Sequence, residues 1–272
     1  MPISSSSGSG FHVAEKSRTH IDPERSVEGS TQALLVQDFV DRAVPLREAL
    51  PRSNPGQIMS SLFDGAMRGC LSCSKESRAV LGRLFTDLKI LRWCDDLGTA
   101  AQGAKARYGT TTTPEALRKR LEELGEVPFQ EAVVHGDLHL DNIFVSSGSS
   151  HVILIDFGRT QTGPVVSDYA CLDVSIGFTG NSELTDDMLT RLYTPPLNPV
   201  EIPPAYALDA WVCGAIRAVR HAVLLADHSP MPYTFAVGSY LLRLASYPEA
   251  ASLDRRSLAY SLAVRIFESR TS

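Results

Sequence analysis

The most constraining feature of this chain is residues 132–160, which read AVVHGDLHLDNIFVSSGSSHVILIDFGRT. Short β-like apolar runs separate its polar residues, at Ala132–Val134, Ile143–Val145 and His151–Ile155. The SSGSS segment predicts a hairpin turn between the last two runs. If those runs pair, Asn142 and Asp156 lie at the same open end of the hairpin.

The polar residues of this stretch suit metal and phosphate chemistry. Asn142 and Asp156 offer two oxygen ligands, and water and phosphate oxygens would complete the octahedron that Mg²⁺ favours. Asp137, at the mouth of the loop, is placed to accept a proton from a substrate hydroxyl. The alternative is that all three residues only shape turns, because Asp and Asn readily bond their own backbone. Turn formation does not explain all the spacings together.

Three segments, HGDLHLDN, IDFGR and GPVVSDYA, resemble motifs of the aminoglycoside phosphotransferase/choline kinase family, a branch of the protein-kinase-like fold. The residues that meet the H-G-D-x-x-x-x-N spacing are His135, Gly136, Asp137 and Asn142. Those that meet the D-F-G motif are Asp156, Phe157 and Gly158. The third segment resembles G-P-x-x-x-D-x-A and puts Asp168 at a helix start.

This resemblance implies a phosphotransferase that uses ATP as phosphate donor and Mg²⁺ as cofactor. Asp137 would be the catalytic base, and Asn142 and Asp156 would bind Mg²⁺ and with it the ATP phosphates. The residues expected to support the loop are His135, Gly136, Phe157, Gly158 and Asp168.

The segment after the D-F-G motif indicates a small-molecule acceptor. Protein kinases carry a long activation segment that ends in A-P-E, whereas here only RTQTGPVV separates Gly158 from Ser167. By resemblance the acceptor hydroxyl belongs to an aminoglycoside, to choline or a related alcohol, or to a sugar. Five residues of the C-terminal region are candidates for binding a cationic acceptor: Asp186, Asp187, Asp209, Trp211 and Asp227. The favoured interpretation is instead that the acids are exposed on the surface and that the Trp lies in the core.

Three other polar residues near the motifs stay open. His139 and Asp141 lie within the loop and either touch substrate or shape the turn, and loop shaping is favoured because such residues commonly bond local backbone. Arg159 either pairs with a phosphate or lies on the surface.

The expected fold class is α+β and mainly helical, a protein-kinase-like C-terminal lobe with a small β insertion at the catalytic loop. Residues 1–30 are Ser/Gly-rich and then polar, which indicates a disordered or irregular segment. Residues 31–272 are expected to form the phosphotransferase domain, a hinge strand that begins at Ala33 followed by the helical lobe. Apolar periodicity and capping residues predict helices over 58–67, 80–91, 113–125, 183–193, 204–226, 234–246 and 253–269.

The sequence does not show the motifs of the family's nucleotide-binding lobe. Such a lobe needs a glycine-rich loop and a strand Lys. The segment SGSGF at Ser7–Phe11 and the nearby Lys16 lack the preceding strand that those roles require. We therefore expect an N-lobe-truncated chain. The alternative function is a catalytically inactive binding module, and a protein partner is a candidate to cover the exposed cleft.

Composition narrows the classes of partner. The net charge of −5 and the pI of 5.8 give no basic field for nucleic acid, and no apolar run is long enough to span a membrane. Five scattered cysteines argue against a disulfide framework, and with no secretory signal they predict a cytoplasmic protein. The CLSC segment has C-x-x-C spacing but no second ligand pair, which favours a structural role.

Overall fold

The computed structural model describes residues 21–28, 33–37, 43–146, 151–180, 184–197, 210–227 and 229–269. It is α+β and mainly helical, as the sequence predicted. Its α-helices are α1 (Leu46–Ala49), α2 (Pro55–Ser60), α3 (Arg68–Ser72), α4 (Leu81–Asp87), α5 (Asp95–Tyr108), α6 (Pro114–Glu122), α7 (Val166–Phe178), α8 (Asp186–Tyr193), α9 (Ala210–Ala226), α10 (Pro230–Ala245) and α11 (Leu253–Glu268).

The strands form three small antiparallel sheets. Their bounds are β1 (Ile21–Glu28), β2 (Ala33–Gln37), β3 (Ala43–Pro45), β4 (Lys75–Ala79), β5 (Val127–Val134), β6 (Ile143–Ser146), β7 (Val152–Leu154) and β8 (Gln161–Pro164). The strand orders are β1-β2, β3-β6-β7 and β4-β5-β8. The predicted hairpin is confirmed, since β6 and β7 pair with Ile143 opposite Leu154. Its SSGSS turn lies mostly outside the described residues.

The N-terminal part differs from the expectation of an irregular backbone up to residue 30. Ile21–Glu28 is a strand that pairs with β2 through an irregular register. The run IDPERSVE contains Pro and lacks apolar alternation, so the strand depends on the backbone of β2 rather than on its own pattern. The segments suggested as a glycine-rich loop and strand Lys, Ser7–Phe11 and Lys16, lie outside the described residues.

Helix α4 is shorter than its apolar periodicity predicted. It ends at Asp87, because the backbone N–H of Lys89 donates to the carbonyl of Thr86 and that of Ile90 donates to the carbonyl of Phe85. This is the Schellman arrangement, and Lys89 takes the left-handed conformation (φ 57°) that Gly usually supplies. The apolar residues that extended the predicted helix therefore lie beyond the end of α4. The predicted capping of α6 is confirmed, since the Thr113 side chain accepts from the N–H of Ala116.

The core is built around α7, all of whose residues are buried. A helix that is buried on every side must be apolar throughout or satisfy its polar groups internally. Asp173 shows how: its carboxylate accepts from Arg220 Nε of α9 at 2.7 Å and from Tyr193 of α8 at 2.9 Å, and also from Tyr233 of α10. One carboxylate thereby joins α7 to three other helices. None of the described helices is long and apolar enough to cross a bilayer.

Candidate active site

The loop 135–142 is anchored on the N-terminal turn of α7. The Asp168 carboxylate is fully buried and accepts the backbone N–H of His135 at 2.7 Å and that of Gly136 at 2.9 Å. Burial raises the pKa of Asp168, while the two backbone hydrogen bonds and the nearby His135 act in the opposite direction. Asp168 therefore joins the loop to the start of a core helix and holds the loop backbone in place.

Gly136 sits where the loop approaches the chain after the D-F-G motif. Its φ is +79°, and a Cβ there would lie 2.2 Å from the carbonyl oxygen of Arg159. Both the left-handed backbone and the close approach require Gly. His135 fixes the same two segments together, because its Nε2 lies 2.8 Å from the carbonyl oxygen of Ile155 and so donates to it. The His135 ring also packs 5.1 Å from the ring of Phe157.

Asn142 and Asp156 lie together at the open end of the β6–β7 hairpin. The backbone N–H of Ile155 donates to the carbonyl of Asn142 at 3.0 Å, which continues the hairpin register up to Asp156. The buried Asn142 amide donates through Nδ2 to the backbone carbonyl of Asp137 at 2.9 Å. The amide oxygen therefore points away from Asp137. The loop 135–142 and the hairpin end therefore form one hydrogen-bonded unit.

The donor set at the hairpin end fits a hard cation. Asp156 adopts the left-handed conformation (φ 58°), and its carboxylate forms one weak hydrogen bond, from the N–H of Gly158 at 3.4 Å. A non-glycine residue in this conformation is strained, and such strain concentrates at functional sites. One carboxylate and one amide oxygen are ligands that Mg²⁺ accepts, with water and phosphate oxygens as the remainder.

The Asp137 carboxylate lies close to two arginines at the mouth of the loop. Its side chain is 17% exposed, and Oδ1 accepts from Nη2 of Arg243 at 2.9 Å. Oδ2 lies 3.5 Å from Nε of Arg159, whose side chain is 47% exposed. Arg243 comes from α10 and is itself 12% exposed, so one oxygen of the carboxylate is held in a partly buried pair. The other oxygen faces the half-exposed side chain of Arg159 at a longer distance.

Asp137 faces a cavity of about 770 Å³. Its apolar wall includes Val174 and Phe178 of α7 and Leu244 of α10. Its polar wall holds four arginines and three acids, namely Arg47, Arg159, Arg243, Arg255, Asp137, Asp141 and Glu249. The volume is in the range of small-molecule sites.

His139 and Asp141 shape the loop and also line this cavity. The backbone N–H of Asp141 donates to Nδ1 of His139 at 3.2 Å. The Asp141 carboxylate takes two hydrogen bonds from Arg47, at 2.9 and 2.7 Å, and these lower the pKa of Asp141. The loop-shaping role favoured from the sequence is the one that the geometry supports.

His139 provides a pH-dependent prediction. Burial lowers the pKa of His139 below 6.5, and protonating Nδ1 would also break its bond to the N–H of Asp141. The unfolded chain therefore binds this proton more tightly, so the His139 contribution is complete above pH 6.5 and is lost as the pH falls. We expect urea unfolding between pH 8 and pH 5.5 to show a smaller loss of stability in His139→Gln. An identical pH slope in both proteins would contradict this.

The acids suggested for gripping a cation lie elsewhere. Asp186 accepts from the Tyr108 hydroxyl at 2.7 Å, and Asp187 pairs with Arg191 on the same exposed face. Asp227 is buried and accepts backbone N–H groups of Gln130 and Ser229. None of these three lines the cavity, and Asp209 lies outside the described residues. Trp211 is half-buried against the core. The favoured interpretation is therefore confirmed for Asp186, Asp187 and Trp211, whereas the buried Asp227 differs from it.

The C-x-x-C segment is described only in part. Cys73 is exposed and free, and the side chain of Cys70 lies outside the described part of the structure. No group of three or more His, Cys, Asp or Glu that could hold a metal was found among the described residues.

Sequence reasoning missed Arg243 and Arg47. Arg243 is 106 positions from Asp137 and belongs to no motif, so only the packing of α10 against α7 reveals the pair. Arg47 follows the short strand β3 and reaches Asp141 across 94 positions. An arginine in an amphipathic helix carries no signal that separates it from a solvated surface residue.

Comparison with known proteins bears directly on the motifs. Residues 79–208 match the family model of the phosphotransferase enzyme family, APH. The matched segment contains the loop 135–142, the β6–β7 hairpin and α7, so the resemblance found from the motifs is confirmed. No curated protein matches the chain.

Solved structures of glucosamine kinase are similar to the chain in part. One, in a second crystal form, is 15% identical with a TM-score of 0.48, covering 88% of this chain and 64% of that one. Another, in complex with glucosamine, ADP and inorganic phosphate, is 17% identical with a TM-score of 0.48, covering 90% of this chain and 68% of that one. The chain thus spans about two thirds of the length of these structures.

Proposed function

We propose that this chain is an ATP- and Mg²⁺-dependent phosphotransferase that transfers the γ-phosphate to a hydroxyl of a small molecule. The observation that carries the proposal is the hydrogen bond from Asn142 to the backbone of Asp137, which ties the proposed base to the proposed metal ligands beside the cavity. The match to the phosphotransferase family over residues 79–208 supports the same reaction class.

Asp137 is the proposed base. Its Oδ2 takes the proton of the acceptor hydroxyl as the hydroxyl oxygen bonds to the γ-phosphorus and the bond from that phosphorus to the bridging oxygen breaks. Arg243 holds Oδ1 at 2.9 Å and so fixes the orientation of the carboxylate. Arg159 lies at 3.5 Å and is half exposed, so it is free to turn from Oδ2 towards a phosphate. Bound Mg²⁺ would neutralise charge on the phosphate oxygens, and Asn142 and Asp156 are the residues proposed to hold it.

We take residues 31–272 as the phosphotransferase domain, and we place the protein in the cytoplasm from its cysteine pattern. The partner that we propose is a small molecule that fits the cavity of about 770 Å³.

A second candidate function is a binding module without turnover. The observation that favours it is that both carboxylate oxygens of Asp137 already lie against arginines, so neither oxygen is left open for an acceptor hydroxyl. This candidate predicts ligand binding in the cavity but no phosphate transfer.

The two functions separate in an assay of γ-phosphate transfer from ATP. The acceptors to test are an aminoglycoside, choline, a hexose and water, each with Mg²⁺ and with EDTA. The proposed phosphotransferase gives Mg²⁺-dependent transfer to at least one of them. Absence of transfer to all four, water included, would leave the binding module.

A further inference from the structure

A second cavity of about 690 Å³ lies on the other side of Arg159 and Tyr247 from the acceptor cavity. It is lined by the end of α4, by the segment that follows the D-F-G motif and by Tyr247. Three of its lining residues are cations, Lys89, Arg92 and Arg159, against one carboxylate, Asp87. The neighbouring lining groups are polar, among them Thr86, Thr160 and Gln161. A cavity with this balance of charge attracts an anion.

Two of the three cations of this cavity, Lys89 and Arg92, form no ion pair with an acid among the described residues, and the third, Arg159, lies 3.5 Å from Asp137. Arg92 instead lies over the Tyr247 ring, 4.6 Å from its centroid. Burial raises the pKa of Tyr247, but hydrogen bonds from the guanidinium groups of Arg92 and Arg159 outweigh it and leave the pKa lowered. The wall shared by the two cavities is therefore an electropositive one.

Lys89 supplies an independent observation. It occupies the left-handed position that closes α4, where Gly is the residue without strain. The Gln161 side chain stabilises the same turn by donating to the carbonyl of Leu88 at 3.3 Å. A lysine at a position that favours Gly therefore lines the cationic cavity, and such strained residues concentrate at functional sites.

We propose that this second cavity binds a phosphate group, held by Lys89, Arg92 and Arg159. Arginine offers paired N–H donors that match phosphate oxygens, and lysine adds a point charge. Because Arg159 also faces Asp137, a phosphate bound here would draw that guanidinium away from Oδ2 of the carboxylate. The site concerns binding alone and does not depend on phosphate transfer.

The test is titration calorimetry of the full chain with inorganic phosphate, without Mg²⁺ or nucleotide, at constant ionic strength. We expect saturable binding that weakens about tenfold in Arg92→Gln, the loss expected for one charge-assisted hydrogen bond. Arg83→Gln is the matched control, because Arg83 is exposed on α4 and does not line the cavity. No saturable binding, or equal affinity in Arg92→Gln and the wild type, would overturn the proposal.

Lys89→Gly separates binding from folding. Glycine relieves the left-handed strain, so we expect a higher melting temperature together with weaker phosphate binding. Unchanged phosphate affinity in this variant would remove Lys89 from the site and overturn the assignment. Glycerol 3-phosphate titrated in parallel identifies the source of the group. Tighter binding than inorganic phosphate points to an organic phosphate, and equal binding points to the free ion.

Discussion

Asp137→Asn is expected to lower Mg²⁺-dependent γ-phosphate transfer by about 10²- to 10⁴-fold, the range for a lost general base. Asn is the informative substitution because its amide oxygen can still accept from Arg243, which is partly buried and 2.9 Å away. Ala would leave that guanidinium without its partner and mix a folding defect with a catalytic one. The phosphate-transfer assay is therefore paired with urea unfolding of the same two proteins.

The control for this substitution is Asp141→Asn. Asp141 lies four positions further along the loop, lines the same cavity and is paired with Arg47. It is a cavity carboxylate with no assigned proton transfer, so we expect a much smaller effect on the rate. Transfer that survives Asp137→Asn undiminished, in a protein of unchanged stability, would remove Asp137 as the base.

Arg220→Met is expected to destabilise the fold by about 3–5 kcal/mol, the cost of breaking a buried ion pair. Arg220 is 3% exposed and Asp173 is fully buried, so the carboxylate would lose its one described cationic partner. Its remaining donors are the hydroxyls of Tyr193 and Tyr233. Since α7 carries both Asp173 and Asp168, we expect the loss of this network to destabilise the loop 135–142 as well.

The matched control is Arg191→Met, which breaks the exposed pair with Asp187 on α8. Exposed pairs of this spacing contribute about 0.3–0.5 kcal/mol. The comparison is made from urea unfolding midpoints at pH 7. A loss below about 1 kcal/mol in Arg220→Met would mean that packing and the tyrosine hydroxyls, rather than the ion pair, hold these helices.

Local features of the site were predictable from the sequence. Asn142 and Asp156 flank a hairpin whose strands are close in the chain, so their juxtaposition follows from register alone. The motif spacing also places Asp168 at the start of α7, where it is found. Family resemblance gave the loop its proposed roles, and the family match covers the segment that contains these residues.

Long-range features were not predictable. The pair of Arg243 with Asp137 depends on how α10 packs against α7, and no periodicity reports which arginine points inward. The end of α4 was missed for a different reason. Apolar side chains continue from Leu88 to Leu91, but the backbone reverses at Lys89, a residue that rarely adopts the left-handed conformation. The second cavity could not be predicted from the sequence for the same reason, because that lysine forms part of its wall.

Mg²⁺-dependent nucleotide binding tests the central claim most directly. Thermal unfolding is measured with ATP and Mg²⁺, with ATP and EDTA, and with Mg²⁺ alone, in the wild type and in Asp156→Ala. Ligand that binds only the folded state raises the melting temperature by mass action. We predict a rise with ATP and Mg²⁺ that is absent with EDTA and absent in Asp156→Ala. No rise in the wild type, or an equal rise in Asp156→Ala, would contradict a magnesium-dependent phosphotransferase site at the β6–β7 hairpin end.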